Sequence, residues 1–132
     1  MIKHLHCGGK IIAPGLIDLQ LNGGWGVDFC SPGAELAPGL KLVAHKLLAH
    51  GVTAFLPTVI TSSAESYRAI LPDLVPTAGS ARDGAAVLGV HLEGPFISSA
   101  KVGCHPPAHV VRPDDGAPAA AAAPRVEEGL LR

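Results

Sequence analysis

Three short apolar runs, each ending in polar residues and separated by helical patterning, constrain this chain more than any other feature. The first, Ile11 to Gly23, reads IIAPGLIDLQLNG. A Pro-Gly turn precedes strict alternation, with Ile17, Leu19 and Leu21 on one side and Asp18, Gln20 and Asn22 on the other, which is the period of a strand. Leu40, Val43, Ala44, Leu47 and Leu48 then recur at helical spacing over about Leu40 to His50, and Gly51 follows as a residue suited to close a helix. GVTAFLPTVI supplies a second apolar strand. A second helix is predicted over Ala64 to Leu74 from Tyr67, Ile70, Leu71 and Leu74, with Ser62 or Ser63 as N-cap and Glu65 favourable in the first turn. The third strand, Val87 to Glu93, is ended by Gly94-Pro95.

Strand, helix, strand, helix, strand is the pattern of right-handed βαβ units that build a parallel sheet. A doubly wound nucleotide-binding sheet and a (β/α)8 barrel both begin this way. Gln20, Asn22, Thr58 and Glu93 fall at the C-terminal ends of their strands, where a barrel assembles its active site. No GxGxxG follows the first strand, which disfavours a dinucleotide fold. The predicted class is therefore α/β, a partial (β/α)8 TIM barrel of about the first three βα units. A complete barrel takes roughly 250 residues. With 132 residues, the chain is expected to be a fragment or truncated form. Residues 1–10 are assigned to a remnant of an N-terminal β segment and residues 11–112 to the partial barrel. The Ala/Pro-rich stretch 113–132 is expected to be a disordered tail.

Composition excludes several functions. Ten Lys plus Arg against eleven Asp plus Glu give a formal charge of −1 with no basic stripe, so nucleic acid is not expected as a partner. Cys7, Cys30 and Cys104 are odd in number and form no CxxC pair, which suggests neither a disulfide framework nor a zinc ribbon and fits a reducing compartment. No apolar run approaches the ~18 residues that would span a bilayer, and the N-terminus carries no apolar signal core. No membrane partner and a cytoplasmic location are expected.

PGLIDLQLNGGWGVDF (Pro14 to Phe29), GVTAFLPTVITS (Gly51 to Ser62) and GVHLEGPFIS followed by KVGCHPPAH (Gly89 to His109) carry a resemblance. In order and spacing they resemble the N-acetylglucosamine-6-phosphate deacetylases of the amidohydrolase superfamily, over roughly Gly8 to Arg112. The resemblance implies hydrolysis of the acetamide of N-acetylglucosamine 6-phosphate to glucosamine 6-phosphate and acetate. It also implies a small amino-sugar phosphate as partner, a homodimer for the full-length family, and a divalent ion, zinc, that polarises the amide carbonyl and lowers the pKa of a bound water.

Most amidohydrolases place His-x-His after the first strand, where this chain reads Gln20-Leu21-Asn22. Amides are weak ligands beside imidazoles, and the substitution resembles the one-metal deacetylase variant. Taken alone Glu93 reads as a solvent-exposed strand-end acid; in its HLEGPF context the resemblance implies that it is the family's metal-binding glutamate, a role in keeping with the cost of burying a carboxylate without a cation. Cys104 and His105 stand where the family contacts substrate, the imidazole as a donor and Cys104 through its backbone. The general acid/base aspartate and two further metal-binding histidines come from later strands of the family, so no catalytic residue is assigned here. One carboxylate falls short of the ~3 protein ligands of a catalytic zinc site, and the isolated chain is expected to be inactive.

His91 shares a strand face with Glu93 and is either a packed core histidine or, like Gln20 and Asn22, a hydrogen-bond partner behind the site. Asp18 either orients neighbouring groups or is a buried structural acid. The His4-Leu5-His6-Cys7 run precedes the Pro-Gly turn and is read as incidental. His45 and His50, five apart on a helix, are read as surface residues, and Gly23-Gly24 with Gly26 as a flexible loop. Two other readings stand beside the main one: another metal-dependent amidohydrolase acting on a different N-acyl sugar or cyclic amide, and an inactive truncated or alternatively spliced product.

Overall fold

The computed structural model describes His4 and residues 6–112; the tail expected at 113–132 and part of the N-terminal segment lie outside the described residues. In chain order the elements are β1 (Leu16–Leu21), β2 (Gly23–Gly24), β3 (Val27–Asp28), α1 (Leu36–Leu48), β4 (Val52–Ile60), α2 (Ala64–Ile70), β5 (Ala86–Val87) and β6 (His91–Glu93). Strand β4 is the axis of a parallel sheet. It pairs with β1, then with β5 (Phe55 opposite Val87) and, further along, with β6 (Ile60 opposite Glu93).

The expected single strand from Val87 to Glu93 is two pieces. From Phe55 to Thr58 along β4, the partner chain runs from Val87 to His91 and so carries one residue more. That extra residue is a bulge, and it falls where Gly89 takes a φ of 153°. Both helix boundaries also differ from the periodicity, and proline explains each. Helix α1 starts at Leu36 because Pro38 lies in its first turn, where a missing N–H costs nothing. Helix α2 stops at Ile70 because Pro72 has no N–H for the next helical bond, and the chain tightens into a 3-10 turn over Leu71–Asp73. Ser63 is the N-cap, its hydroxyl accepting from the Ser66 N–H at 3.1 Å.

The glycine-rich stretch after β1 is an antiparallel hairpin rather than a flexible loop. Gly23 and Gly24 pair with Asp28 and Val27 around Trp25-Gly26, whose φ angles of 52° and 85° suit a two-residue reversal. The hairpin docks on α1 because Gly39 has no side chain; a Cβ there would meet Val27 Cγ1 at 2.8 Å. Helix α1 buries Leu36, Leu40, Val43, Ala44 and Leu47 against Phe29, Phe55, Val59, Tyr67, Ile70 and Val87. The apolar side read for the first strand is not covered in the same way. Of Ile17, Leu19 and Leu21, the first two are 58% and 64% exposed, and only Leu21 packs against the core. Among the described residues His4 and 6–10 form no strand, so the expected β remnant is not seen there.

The ladder between β1 and β4 slips between Asp18 and Leu21, and a side chain fills the gap. Thr58 Oγ1, fully buried, accepts from the Leu21 N–H at 2.9 Å, and lies 3.2 Å from His91 Nδ1 and 3.3 Å from the Leu56 carbonyl. Replacing Thr58 by Val keeps the shape but orphans a strand N–H. Urea titration of T58V is expected to show a loss of about 1–3 kcal/mol, with T58S recovering most of it.

Candidate active site

Strand β6 ends on Glu93, and the chain then turns at Gly94, φ 108°, into a cis Gly94-Pro95 peptide. The following loop returns on itself, since the Val111 N–H donates to the Pro95 carbonyl at 2.9 Å. Within it the His105 N–H donates to the Val102 carbonyl at 3.2 Å, a turn that folds His105 inward to 7% exposure. The imidazole lands at the end of β4. Its Nδ1 accepts from the Thr61 N–H at 3.3 Å and lies 2.9 Å from Thr61 Oγ1, while Nε2 lies 3.5 Å from Glu93 Oε1. The Thr61 hydroxyl also lies 3.4 Å from the Glu93 carbonyl. This packing is possible because residue 94 is glycine; a Cβ there would collide with Thr61 Oγ1.

The structure thus brings Glu93 and His105 together. Half-buried His91 sits one turn of the pleat away from Glu93 and is tied through Nδ1 to Thr58. Gln20 and Asn22 are exposed at the end of β1, and among the described residues each is engaged through its backbone: the Gln20 N–H donates to Asp18 Oδ1, and the Asn22 carbonyl accepts from the Phe29 N–H. Asp18 is half-buried and serves that local turn. Cys104 is exposed beside the buried His105. His4, His6, His45 and His50 are all exposed, away from this group.

Two residues of the site escape a reading of the sequence, Thr61 and Cys30, while Thr58 is placed there at a strand end without the bonds it makes. Half-buried Cys30 follows the hairpin, and its Sγ accepts from the Ile60 N–H at 3.4 Å. Burial pushes this thiol up, the charges of Asp28 and Glu93 push the same way, and the Ile60 N–H opposes them. Tyr67 pins α2 to the end of β4, its hydroxyl donating to the Ile60 carbonyl at 3.2 Å and accepting from the Ser62 N–H at 3.3 Å. Burial raises this phenol too. A three-residue spacing from Thr58 to Thr61 across a strand end was the one available signal, and it is a weak one.

The donor set bears on the metal that the resemblance implies. Among the described residues no group of three or more His, Cys, Asp or Glu side chains converges closely enough to hold an ion. Glu93 and His105 are two, and the Nδ1 lone pair of His105 is already engaged by Thr61. The described residues by themselves do not fit a catalytic metal centre, which uses ~3 protein ligands.

No protein-family model matches the chain. Known proteins do. It is 54% identical over 104 residues to an N-acetylglucosamine-6-phosphate deacetylase of Bos taurus, a match covering 79% of this chain and 25% of that protein. To the Caenorhabditis elegans protein of the same name it is 60% identical over 105 residues, 77% of this chain and 25% of that one. An N-acetylgalactosamine-6-phosphate deacetylase of Shewanella sp. (strain ANA-3) is 40% identical over 105 residues, with the same shares covered. Among solved structures, the N-acetylglucosamine-6-phosphate deacetylase of Pasteurella multocida superposes with a TM-score of 0.60 at 31% identity, over 74% of this chain and 25% of that one. The chain spans about a quarter of the length of the relatives it matches. Its mixed α/β fold with a parallel sheet and its aligned residues define a homologue of deacetylases of N-acetyl amino-sugar 6-phosphates. Within that class the chain belongs with the N-acetylglucosamine-6-phosphate deacetylases, matching their N-terminal portion.

The two cysteines near the site differ in exposure, and alkylation reads the difference. Cys104 is expected to label with iodoacetamide at neutral pH at least about tenfold faster than Cys30, whose raised thiol pKa and burial both withhold the thiolate. Peptide mass mapping against time checks the order.

Proposed function

We propose that this chain is part of an N-acetylglucosamine-6-phosphate deacetylase, which hydrolyses the acetamide of its substrate to glucosamine 6-phosphate and acetate. The observation that carries the proposal is the approach of Glu93 and His105 to 3.5 Å at the end of β6, within motifs shared with relatives of that name. In this reading β1, β4 and the broken strand β5–β6 are the first three strands of a (β/α)8 barrel, and the site opens at their C-terminal ends. Glu93 is one ligand of a divalent ion, zinc, whose remaining protein donors lie outside the described residues. His105 donates to an oxygen of the sugar phosphate, and Cys104 borders the same site through its backbone. His91 stands behind Glu93, and Gln20 and Asn22 rim the mouth from β1. The enzyme acts in the cytoplasm, as a homodimer in its complete form. The relatives at 54% and 60% identity are N-acetylglucosamine-6-phosphate deacetylases, which favours the gluco epimer.

Exchanging Gly8–Arg112 for the matching stretch of the bovine relative tests the reading. The chimera, supplied with zinc, is expected to release acetate from N-acetylglucosamine 6-phosphate faster than from the galacto epimer. Glu93→Gln in that chimera should lower turnover more than about 100-fold, beyond the usual cost of losing a group behind a metal ligand. A folded chimera that releases no acetate, or that tolerates Glu93→Gln, overturns the proposal.

A further inference from the structure

We propose that Thr61 is a positioning residue that fixes the tautomer of His105, leaving the ring proton on Nε2, on the side of Glu93. A neutral imidazole has one N–H and one lone pair, and its neighbours decide which nitrogen keeps the proton. A backbone N–H can only donate. The Thr61 N–H points at His105 Nδ1 from 3.3 Å, so Nδ1 has to hold the lone pair; a proton there would set two N–H groups against each other. The Thr61 hydroxyl lies 2.9 Å from the same nitrogen and 3.4 Å from the Glu93 carbonyl, and with Nδ1 holding a lone pair its single proton goes to the nearer acceptor, Nδ1. Burial of His105 to 7% exposure leaves little room for water to satisfy Nδ1 instead. Main chain and side chain of one residue therefore converge on one ring nitrogen.

Thr61 is itself held firmly. It is 1% exposed, its N–H is spent on Nδ1, and the absent side chain of Gly94 leaves its place free. The consequence for chemistry is a fixed polarity. Nε2–H offers a donor to an oxygen, that of the Glu93 carboxylate or of a bound ligand, and offers no lone pair to a metal ion. The step to a bound ligand rests on the deacetylase reading; the tautomer does not.

The test uses the whole 132-residue chain, isotope-labelled, with neither metal nor substrate, at a pH where free histidines are neutral. Long-range proton–nitrogen spectra of His105 are expected to show the Nε2–H pattern. A trans-hydrogen-bond coupling should connect the Thr61 amide nitrogen to Nδ1. Thr61→Val keeps the backbone donor and removes the hydroxyl, and should move the tautomer ratio toward Nδ1–H by about tenfold; Thr61→Ser should restore it. An Nδ1–H pattern, a doubly protonated ring or the absence of the coupling in the unaltered chain overturns the proposal, as does a ratio that Thr61→Val leaves unmoved. Because no substrate is present, these outcomes are independent of whether the chimera releases acetate.

Discussion

The hydroxyl of Thr58 is where three strands meet. It takes the Leu21 N–H at the point where the β1–β4 ladder slips, and it touches His91 as β6 begins. A buried strand N–H without a partner is costly, so this one oxygen lets β1 change register and still end beside β4. From there the pairing Thr58 with His91, Val59 with Leu92 and Ile60 with Glu93 brings the carboxylate level with the end of β4. Thr61 follows immediately and receives His105. The geometry of the site is thus an extension of the register of β4, set by a side chain as much as by the ladder.

Around that register the polar groups form a closed set. Among the described residues no buried side-chain nitrogen or oxygen lacks a partner. Thr61, His105 and Glu93 satisfy one another, Thr58 serves Leu21 and His91, and Tyr67 bonds both Ile60 and Ser62. Such networks are stiff because the loss of any member strands another group in a low-dielectric setting. Cys30, inserted against Ile60, belongs to the same rim, and burial raises the pKa of its thiol. The end of β4 is ordered by hydroxyls and a thiol as well as by the backbone ladder.

How far the sequence reveals this depends on the range of each interaction. The succession of strands and helices follows from local periodicity. The errors of extent trace to Pro38, Pro72 and Gly89, whose effects depend on where the element around them begins and on what it pairs with. Alternation in β1 located an apolar side without saying whether anything would cover it, and Ile17 and Leu19 remain exposed. Glu93 and His105 were legible because they lie in motifs. Thr58 was legible as a strand-end polar group but not as the joint of three strands, and Thr61 was not legible at all, because threonine near a strand is ordinary for its branched shape, and the link from Thr61 to His105 crosses 44 residues. His91, open in the sequence between core packing and a supporting bond, is half-buried and bonded to Thr58.

Gly94 and Thr61 share one volume, and that has a consequence for how such a sequence can drift. Any side chain at 94 needs the space of the Thr61 hydroxyl, so the first obstacle to change is steric, and alanine at 61 would ease it while its own Cβ stayed 3.2 Å away. The second is the backbone, since a φ of 108° disfavours every residue with a Cβ. Shrinking position 61 eases the first and leaves the second intact. The pair is therefore asymmetric: threonine can give way to smaller residues at the expense of its hold on His105, whereas the glycine has no neighbouring sequence to move to.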